Sequence, residues 1–387
     1  MNSLPYLLFV CFNVLLFAYS IYIKSDKYKL FFIRILCLSS CVFFFGFRGF
    51  IGWDWYNYFV FFNEVPKINA TELIPYFSST LMEPAFILYC SIIKLFTDSY
   101  HILTLVNCFI DLIFLNWFLK KYLPLNYYAF GFILYFVFGG FYLETDLLRN
   151  SRSFFIFLFT IKYIEERKIL RYYFFNSIGI LFHLSSIIYL FVYKILNMNI
   201  KRIVFIFIFI IGNILFVFNI QYVKPLIELA SSIIGGKMAY LVNVYLIDDA
   251  KSYGLSIGFI ERNIVALLVI FYFNEIKNYN KTYNIFINSY FIYFILFFFF
   301  SEVSVLSTRF GLLFYYSYWI LLPIIFDIMK SKISKSIFII GMVSFFFLKM
   351  HGMTKADNYL YENSLINELD YNKKKEVFEK FLNINDD

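Results

Sequence analysis

The chain has 387 residues, of which 61% are apolar and only 16% are charged, and it contains 56 phenylalanines and 34 tyrosines. This composition excludes an ordinary soluble globular protein, because its near-uncharged runs approach the roughly 20 residues that cross a bilayer. The net charge of +8 does not indicate a nucleic-acid partner, since most lysines and arginines lie in short loops between apolar runs, as expected of cytoplasmic connections.

The apolar runs predict an all-α, polytopic transmembrane helical bundle. The clearest runs are Pro5–Ile23, Arg202–Ile220, Tyr283–Phe300 and Phe310–Ile328. The basic residues near the first run follow its apolar core, so we interpret it as an uncleaved span with its N-terminus outside. We therefore predict a single integral-membrane domain over residues 1–350, with about ten full spans. Residues 351–387 are predicted to be a short polar tail, either an amphipathic helix or a disordered end.

Residues 84–97 do not fit a simple count of spans. This apolar stretch of about 14 residues contains Lys94, and a full crossing would place Lys120 and Lys121 on the outer side. We therefore expect residues 84–97 to form a short interfacial helix that does not cross the membrane.

Residues 172–196 raise the same problem. As one span, this segment would place Lys194, Lys201 and Arg202 outside. We expect instead a re-entrant element made of two half-helices that turn near His183, because non-helical backbone at membrane depth is tolerated where it lines a cavity.

On this topology the outer loops are residues 48–83, 144–152, 221–256 and 301–309, and the tail also lies outside. The unusual charged groups collect on this side: Arg48, Asp54, Glu83, Glu144, Asp146, Arg149, Arg152, Glu261, Arg262, Glu302 and Arg309. His183 is expected to point into the same cavity. Outer arginines run against the positive-inside trend, so another interaction is expected to hold them there. Guanidinium groups bind phosphate oxygens in a bidentate manner, so the cluster suits a diphosphate-linked lipid.

Four of these residues also allow a purely structural interpretation. Arg48 and Asp54 are compatible with a simple ion pair at a helix end. Arg149 and Arg152 lie one helical turn apart and share a face, which is compatible with a salt-bridge network to nearby acids such as Glu144 and Asp146.

The same holds for two further candidates. His183 lies between apolar neighbours and is compatible with a satisfied core histidine. Glu83 precedes Pro84, which is typical of a helix start with proline at the first helical position.

Several chemistries have no motif in the chain. No Cys/His/Asp cluster has metal-ligand spacing, so we predict no metal site built by the protein. Neither a Walker loop nor a G-x-G-x-x-G motif precedes a helix, so no nucleotide is expected.

Five short stretches with unusual polar residues follow one another along the membrane region. They are RGFIGWDWYNY (from Arg48), MEPAF (Glu83), LLRNSRSF (Arg149), LFHLSS (His183) and STRFGLLFYY (Arg309). In this order they resemble the EpsG / Wzy-type polysaccharide polymerase family, over roughly residues 40–325. One departure is Asn150, where the family commonly has glutamine; Arg152 also takes a position that is often apolar.

The resemblance implies a membrane glycosyltransferase, with a fold that could be GT-C-like, in the bacterial inner membrane. Its donor and acceptor are glycan repeat units linked to undecaprenyl diphosphate, and its product is O antigen (part of lipopolysaccharide), capsule or exopolysaccharide. No cofactor is implied, although a divalent cation from solution could bridge the diphosphate. A chain-length regulator is a further partner that the family implies.

For the site, we expect Arg48, Arg149, Arg309 and, more weakly, Arg152 to bind the donor diphosphate. Asp54 or His183 is expected to act as general base, and Glu83 is a third catalytic candidate that could instead hold an arginine in place. Two alternatives to a polymerase remain open, a lipid-linked oligosaccharide flippase or other transporter, and an O-antigen ligase.

Overall fold

The computed structural model describes residues 2–23, 26–80, 82–234, 254–366 and 371–385. Within these ranges the regular structure is helical, and the pairing of Arg48 with Asn363 is an isolated β-bridge. The prediction of an all-α helical bundle is therefore confirmed.

The chain divides into two compact units, Met1–Leu190 with Lys330–Asp387, and Phe191–Met329. The first half of the chain contains α1 (Leu4–Tyr22), α2 (Lys27–Cys41), α3 (Trp55–Glu64), α4 (Ala70–Ser79), α5 (Pro84–Lys94), α6 (Tyr100–Tyr122), α7 (Tyr128–Tyr135), α8 (Phe141–Thr145), α9 (Leu148–Glu165), α10 (Ile169–Phe182) and α11 (Ile188–Asn197). The remaining described helices are α12 (Arg202–Val217), α13 (Val223–Ile234), α14 (Ile257–Phe271), α15 (Phe273–Tyr279), α16 (Tyr283–Phe298), α17 (Ser304–Leu312), α18 (Tyr316–Ile328), α19 (Lys332–Thr354) and α20 (Tyr371–Asn385).

Five described helices are long and apolar enough to cross a membrane. They are Leu4–Tyr22, Lys27–Gly46, Tyr100–Tyr122, Leu125–Thr145 and Lys332–Thr354. A sixth span results if α14 and α15, which are bent by 65° at Tyr272, are counted together. The other apolar helices have 10–17 residues. Helix length thus confirms a membrane protein with multiple spans but does not confirm about ten full crossings.

The two segments that disturbed the span count are short helices. Helix α5 has 11 residues and is therefore about 16 Å long, half the hydrocarbon thickness of a bilayer. In the segment 172–196, α10 ends at Phe182 because His183 has extended backbone angles (φ −160°, ψ 127°). The hydroxyl of Tyr172 donates to the carbonyl of Tyr189 at 2.5 Å, which a straight helix would hold about 25 Å away. The chain therefore folds back at His183.

The segments predicted to be outer loops contain helices. Helices α3 and α4 lie within residues 48–83, α9 begins at Leu148, and α17 begins at Ser304. Helix α13 occupies the first part of the segment 221–256, of which residues 235–253 lie outside the described ranges.

Helix α9 organises the first unit, because it packs along both α6 and α10. Its C-terminal end is marked by an ion pair between Lys121 of α6 and Glu165 of α9 at 2.9 Å. Its N-terminal end carries Arg149, and His183 at the end of α10 lies at this same end. The antiparallel packing of α9 and α10 thus places two of the five motifs side by side.

The second unit is held together by aromatic side chains and by the buried carboxylate of Glu302. Phe205 of α12 stacks on Phe291 of α16 with ring centroids 3.9 Å apart. The carboxylate of Glu302 accepts hydrogen bonds from the backbone N–H groups at the start of α13, those of Tyr222, Val223 and Lys224. Glu302 therefore caps a helix, which explains one acidic residue of the predicted outer cluster.

Candidate active site

Glu83 lies at the centre of a hydrogen-bonded cluster in the first unit. Its Oε2 atom accepts from Nη1 of Arg149 at 2.7 Å, and its Oε1 atom is 2.7 Å from Nδ1 of His183. Glu83 occupies the N-cap position of α5 but makes no capping bond with its side chain, so both carboxylate oxygens can face the neighbouring helices. The cluster joins three of the motifs that are far apart in sequence.

The carboxylate of Glu83 is stabilised in its charged form. Burial alone would raise its pKa, but the hydrogen bond with His183 and the positive charge of Arg149 lower the pKa from 4.5 to about 2. Glu83 is therefore ionised at neutral pH and is a poor proton acceptor there. Its chemistry is that of a fixed anion that orients the two groups bonded to it.

His183 is oriented by this anion. Because an ionised carboxylate can only accept, the Nδ1 atom of His183 carries the proton, and a neutral ring then has its acceptor position at Nε2. The backbone N–H of Leu184 also donates to Oε1 of Glu83 at 3.3 Å. Glu83 thus fixes the turn between α10 and the following helix as well as the imidazole ring.

Arg149 faces an open pocket of about 410 Å³. Besides Arg149, the pocket is lined by Asp54, Tyr56, Asn57, Tyr58, Val60, Phe61, Glu64, Tyr76, Thr80 and Met82. Tyr58 contacts the Arg149 guanidinium, and burial raises the pKa of Tyr58 to about 12 despite the opposing charge of Arg149. The pocket therefore combines a cation held by Glu83, carboxylates and tyrosines.

Asp54 reaches this pocket from the start of α3. It precedes the first residue of the helix, and its side chain does not cap the helix. The backbone N–H groups of Trp53 and Asp54 both donate to Oδ1 of Asp146. Gly52 makes this approach feasible, because its φ is +102° and a Cβ atom there would collide with the Asp146 carboxylate.

Arg48 is not in the pocket. Its side chain is 1% exposed, and its guanidinium donates to the carbonyls of Phe45 at 3.3 Å and Thr145 at 3.5 Å. Arg48 therefore connects the end of the second span to the end of α8. The structural alternative, an ion pair between Arg48 and Asp54, is not observed.

Arg152 is also buried. Its Nη2 atom lies 2.5 Å from Oδ1 of Asp111 and donates to the carbonyl of Asn107 at 2.7 Å, both on α6. The alternative of a salt-bridge network is thus right about the type of contact but not about the partners, since Glu144 accepts from the hydroxyl of Tyr135 at 2.6 Å. Arg152 connects α9 to α6 and does not face the pocket.

Arg309 belongs to the second unit. It lies in the last turn of α17, and its side chain is exposed.

Sequence reasoning missed two residues that shape the site. Asp146 was noted only as one of several outer acids, and Tyr58 only as part of the first motif. The signal for Asp146 was available in the G-W-D stretch, since a glycine two residues before a pocket aspartate indicates a tight approach by another group. Within the described residues, no group of three His, Cys, Asp or Glu side chains is arranged to hold a metal ion.

The EpsG family model matches residues 30–366 of the chain. Neither a curated protein nor a solved structure matches the chain. The matched region contains the whole second unit, most of the first unit and every residue of the cluster around Glu83.

Proposed function

The chain belongs to the EpsG family of polysaccharide polymerase-type membrane proteins, and from this premise we propose that it polymerises lipid-linked repeat units on the outer face of the bacterial inner membrane. The donor is a glycan on undecaprenyl diphosphate, and the acceptor is the terminal sugar of a second lipid-linked unit. The observation that carries the proposal is the pocket that Asp54 and Arg149 line together, with Arg149 fixed by Glu83.

Arg149 binds the donor diphosphate in this proposal. Its guanidinium is fixed by Glu83 before substrate arrives, and a preorganised cation aimed at a leaving group is commonly the largest catalytic contribution. Arg48 and Arg152 support the site through buried contacts. Arg309 keeps the diphosphate-binding role that its motif implies, on sequence grounds alone.

Asp54 is the proposed general base. A hydroxyl of the acceptor sugar attacks the anomeric carbon of the donor, and its proton passes to the Asp54 carboxylate. The bond between the anomeric carbon and the phosphate oxygen breaks, and the lipid diphosphate leaves with the electron pair beside Arg149. Glu83 holds both Arg149 and the imidazole of His183, and His183 is the second candidate for the base. Because the diphosphate lipid is already activated, no nucleotide is consumed.

The pocket also fits the acceptor. Tyr56, Tyr58 and Tyr76 offer ring faces and hydroxyl groups, and Asn57 offers an amide. Aromatic rings with a few polar groups are typical of small-molecule sites that bind apolar ring faces and hydroxyls at once.

The test is a polymerisation assay with purified protein in lipid nanodiscs, undecaprenyl-diphosphate repeat units and no nucleotide. Wild type should give a ladder of lengthening lipid-linked glycans. We expect Asp54→Asn to lower the rate by about 10²–10⁴-fold if the carboxylate is the base, and Arg149→Lys to lower it by about 10²-fold or more, because an ammonium group cannot replace the planar fork. The control is Asp98→Asn, which removes an exposed carboxylate outside the pocket.

Other outcomes separate the alternatives. A single transfer to a different acceptor would indicate a ligase, and movement of substrate across the bilayer without transfer would indicate a flippase. A ladder that survives Asp54→Asn but not His183→Gln would move the base to His183. A ladder that disappears with EDTA and returns with Mg²⁺ would add a divalent cation from solution.

A further inference from the structure

The chain beyond the last long helix returns to the loop that carries Asp54. We call residues 357–364 the tail segment. Its backbone pairs with the loop at three points: Gly49 N–H donates to Glu362 O at 2.9 Å, Gly52 N–H to Asn358 O at 3.0 Å, and Ser364 N–H to Phe47 O at 2.8 Å. A short polar tail of this kind would ordinarily be poorly ordered, and these bonds fix it to the loop.

Tyr359 links the tail segment to the carboxylate that holds the loop. Its hydroxyl donates to Oδ2 of Asp146 at 3.0 Å, while Oδ1 of the same carboxylate accepts from the backbone N–H groups of Trp53 and Asp54. Tyr359 is 3% exposed, and its carbonyl accepts from the hydroxyl of Tyr6 at 2.8 Å. One buried carboxylate therefore connects Tyr359 directly to the backbone of Asp54.

Helix α20 covers the tail segment and the start of α3. Phe378 packs on Trp55 and Tyr56 with ring centroids 6.1 and 5.3 Å away. The ammonium of Lys374 donates to the carbonyl of Leu360 at 2.8 Å and lies 3.6 Å from Glu362. Helix α20 thus anchors the tail segment just after Tyr359, while the bond from Gly52 to Asn358 anchors it just before Tyr359.

We infer that the tail segment is a positioning element for Asp54 and that Tyr359, acting through Asp146, is its central residue. This inference rests on the proposed function for the role of Asp54 in the reaction. The physical reason is geometric: Asp54 lies on a loop that turns at a glycine with positive φ, and such a loop needs outside contacts to hold one conformation. A misplacement of about 1 Å in a reacting group can cost about 10²-fold in rate.

The test compares two substitutions that each remove one hydroxyl from the same segment. Tyr359→Phe removes the bond to Asp146. The matched control, Tyr361→Phe, removes a hydroxyl that donates to the carbonyl of Phe44 at 3.0 Å and has no contact with Asp146. Hydrogen–deuterium exchange is measured on the intact protein for peptides covering residues 50–56 and 148–165, together with kcat and KM in the polymerisation assay.

We expect Tyr359→Phe to speed exchange at residues 50–56 several-fold, to leave residues 148–165 unchanged, and to lower kcat about 10-fold with little change in KM. Tyr361→Phe should match wild type in residues 50–56 and in kcat. Unchanged exchange at residues 50–56 in Tyr359→Phe would overturn the inference. Equal loss of protection in both regions would also overturn it, since that result indicates general destabilisation. Exchange is independent of activity, so an inactive wild-type protein would count against the proposed function alone.

Discussion

At the scale of single residues, the site depends on which charged groups find partners. Glu83 binds both Arg149 and His183, whereas Arg48 and Arg152 are turned into the protein by main-chain carbonyls and by Asp111. All three arginines lie at or near a helix end, so their places in the sequence do not distinguish them. The difference lies in what the neighbouring helix presents: a carboxylate beside a pocket for Arg149, and buried acceptors for the other two.

The pKa of Glu83 leads to a prediction about pH. Because the folded-state pKa is lowered from 4.5 to about 2, the ionised carboxylate contributes stability that is fully present above about pH 5 and is lost as the pH falls towards 2. We expect wild type to be more thermostable than Glu83→Gln at pH 7, and the difference between their melting temperatures to shrink steadily between pH 5 and pH 3. The measurement is thermal unfolding in one detergent across this range. A difference that stays constant with pH would show that the charge of Glu83 does not stabilise the fold.

At the scale of helices, two ion pairs join α6 and α9, one of them buried and the other partly exposed. Arg152 and Asp111 are 5% and 1% exposed, whereas Lys121 and Glu165 are 31% and 18% exposed. Charges in an apolar interior are tolerated only when they are paired, so the inner pair fixes the register of the two helices. This register sets the height at which Arg149, one turn before Arg152, reaches Glu83.

We expect breaking the two ion pairs to lower the free energy of unfolding by different amounts. Asp111→Ala leaves the Arg152 guanidinium buried without its carboxylate, and we expect a loss of about 3–5 kcal/mol. Lys121→Met, on the same two helices, should cost no more than about 1 kcal/mol. The double variant Asp111→Leu with Arg152→Met should recover most of the stability, because no unpaired charge remains. Unfolding in a common detergent measures all three. Similar losses for Asp111→Ala and Lys121→Met would contradict this account.

At the scale of the whole molecule, the polar groups of the first unit lie at the two opposite ends of α9. The loop with Asp54, the Glu83 cluster and the tail segment lie at the N-terminal end of α9, and the Lys121–Glu165 pair lies at the other. A polymerase that uses lipid-linked substrates outside the cell membrane requires the first end to face outwards. The lysines at the other end then follow the positive-inside rule.

This orientation can be measured with single cysteines. The native cysteines are Cys11, which is exposed, and the buried Cys37, Cys41, Cys90 and Cys108. In a Cys11→Ser background, Leu365→Cys should react with a membrane-impermeant maleimide in spheroplasts, and Lys168→Cys should react only after the membrane is permeabilised. Both positions are exposed. The reverse labelling pattern would place the candidate site in the cytoplasm and would rule out the proposed reaction on the outer face.

The composition and the run lengths alone determined that the chain is an all-α membrane protein, because hydropathy depends only on local sequence. Five short motifs in order were enough to indicate the family, which the match over residues 30–366 establishes. The conflict between lysine positions and span count also located the turn at His183, since charge placement obeys a membrane-wide rule.

Only the tertiary structure decided which motif residues share a site. Glu83 and His183 are 100 residues apart, and Tyr359 lies 213 residues from the aspartate it contacts. Such contacts depend on how the helices pack, which local hydropathy does not encode. The burial of Arg48 and Arg152 could not be predicted from the sequence for the same reason. An arginine at a helix end has the same sequence pattern whether a pocket or a neighbouring helix lies beside it.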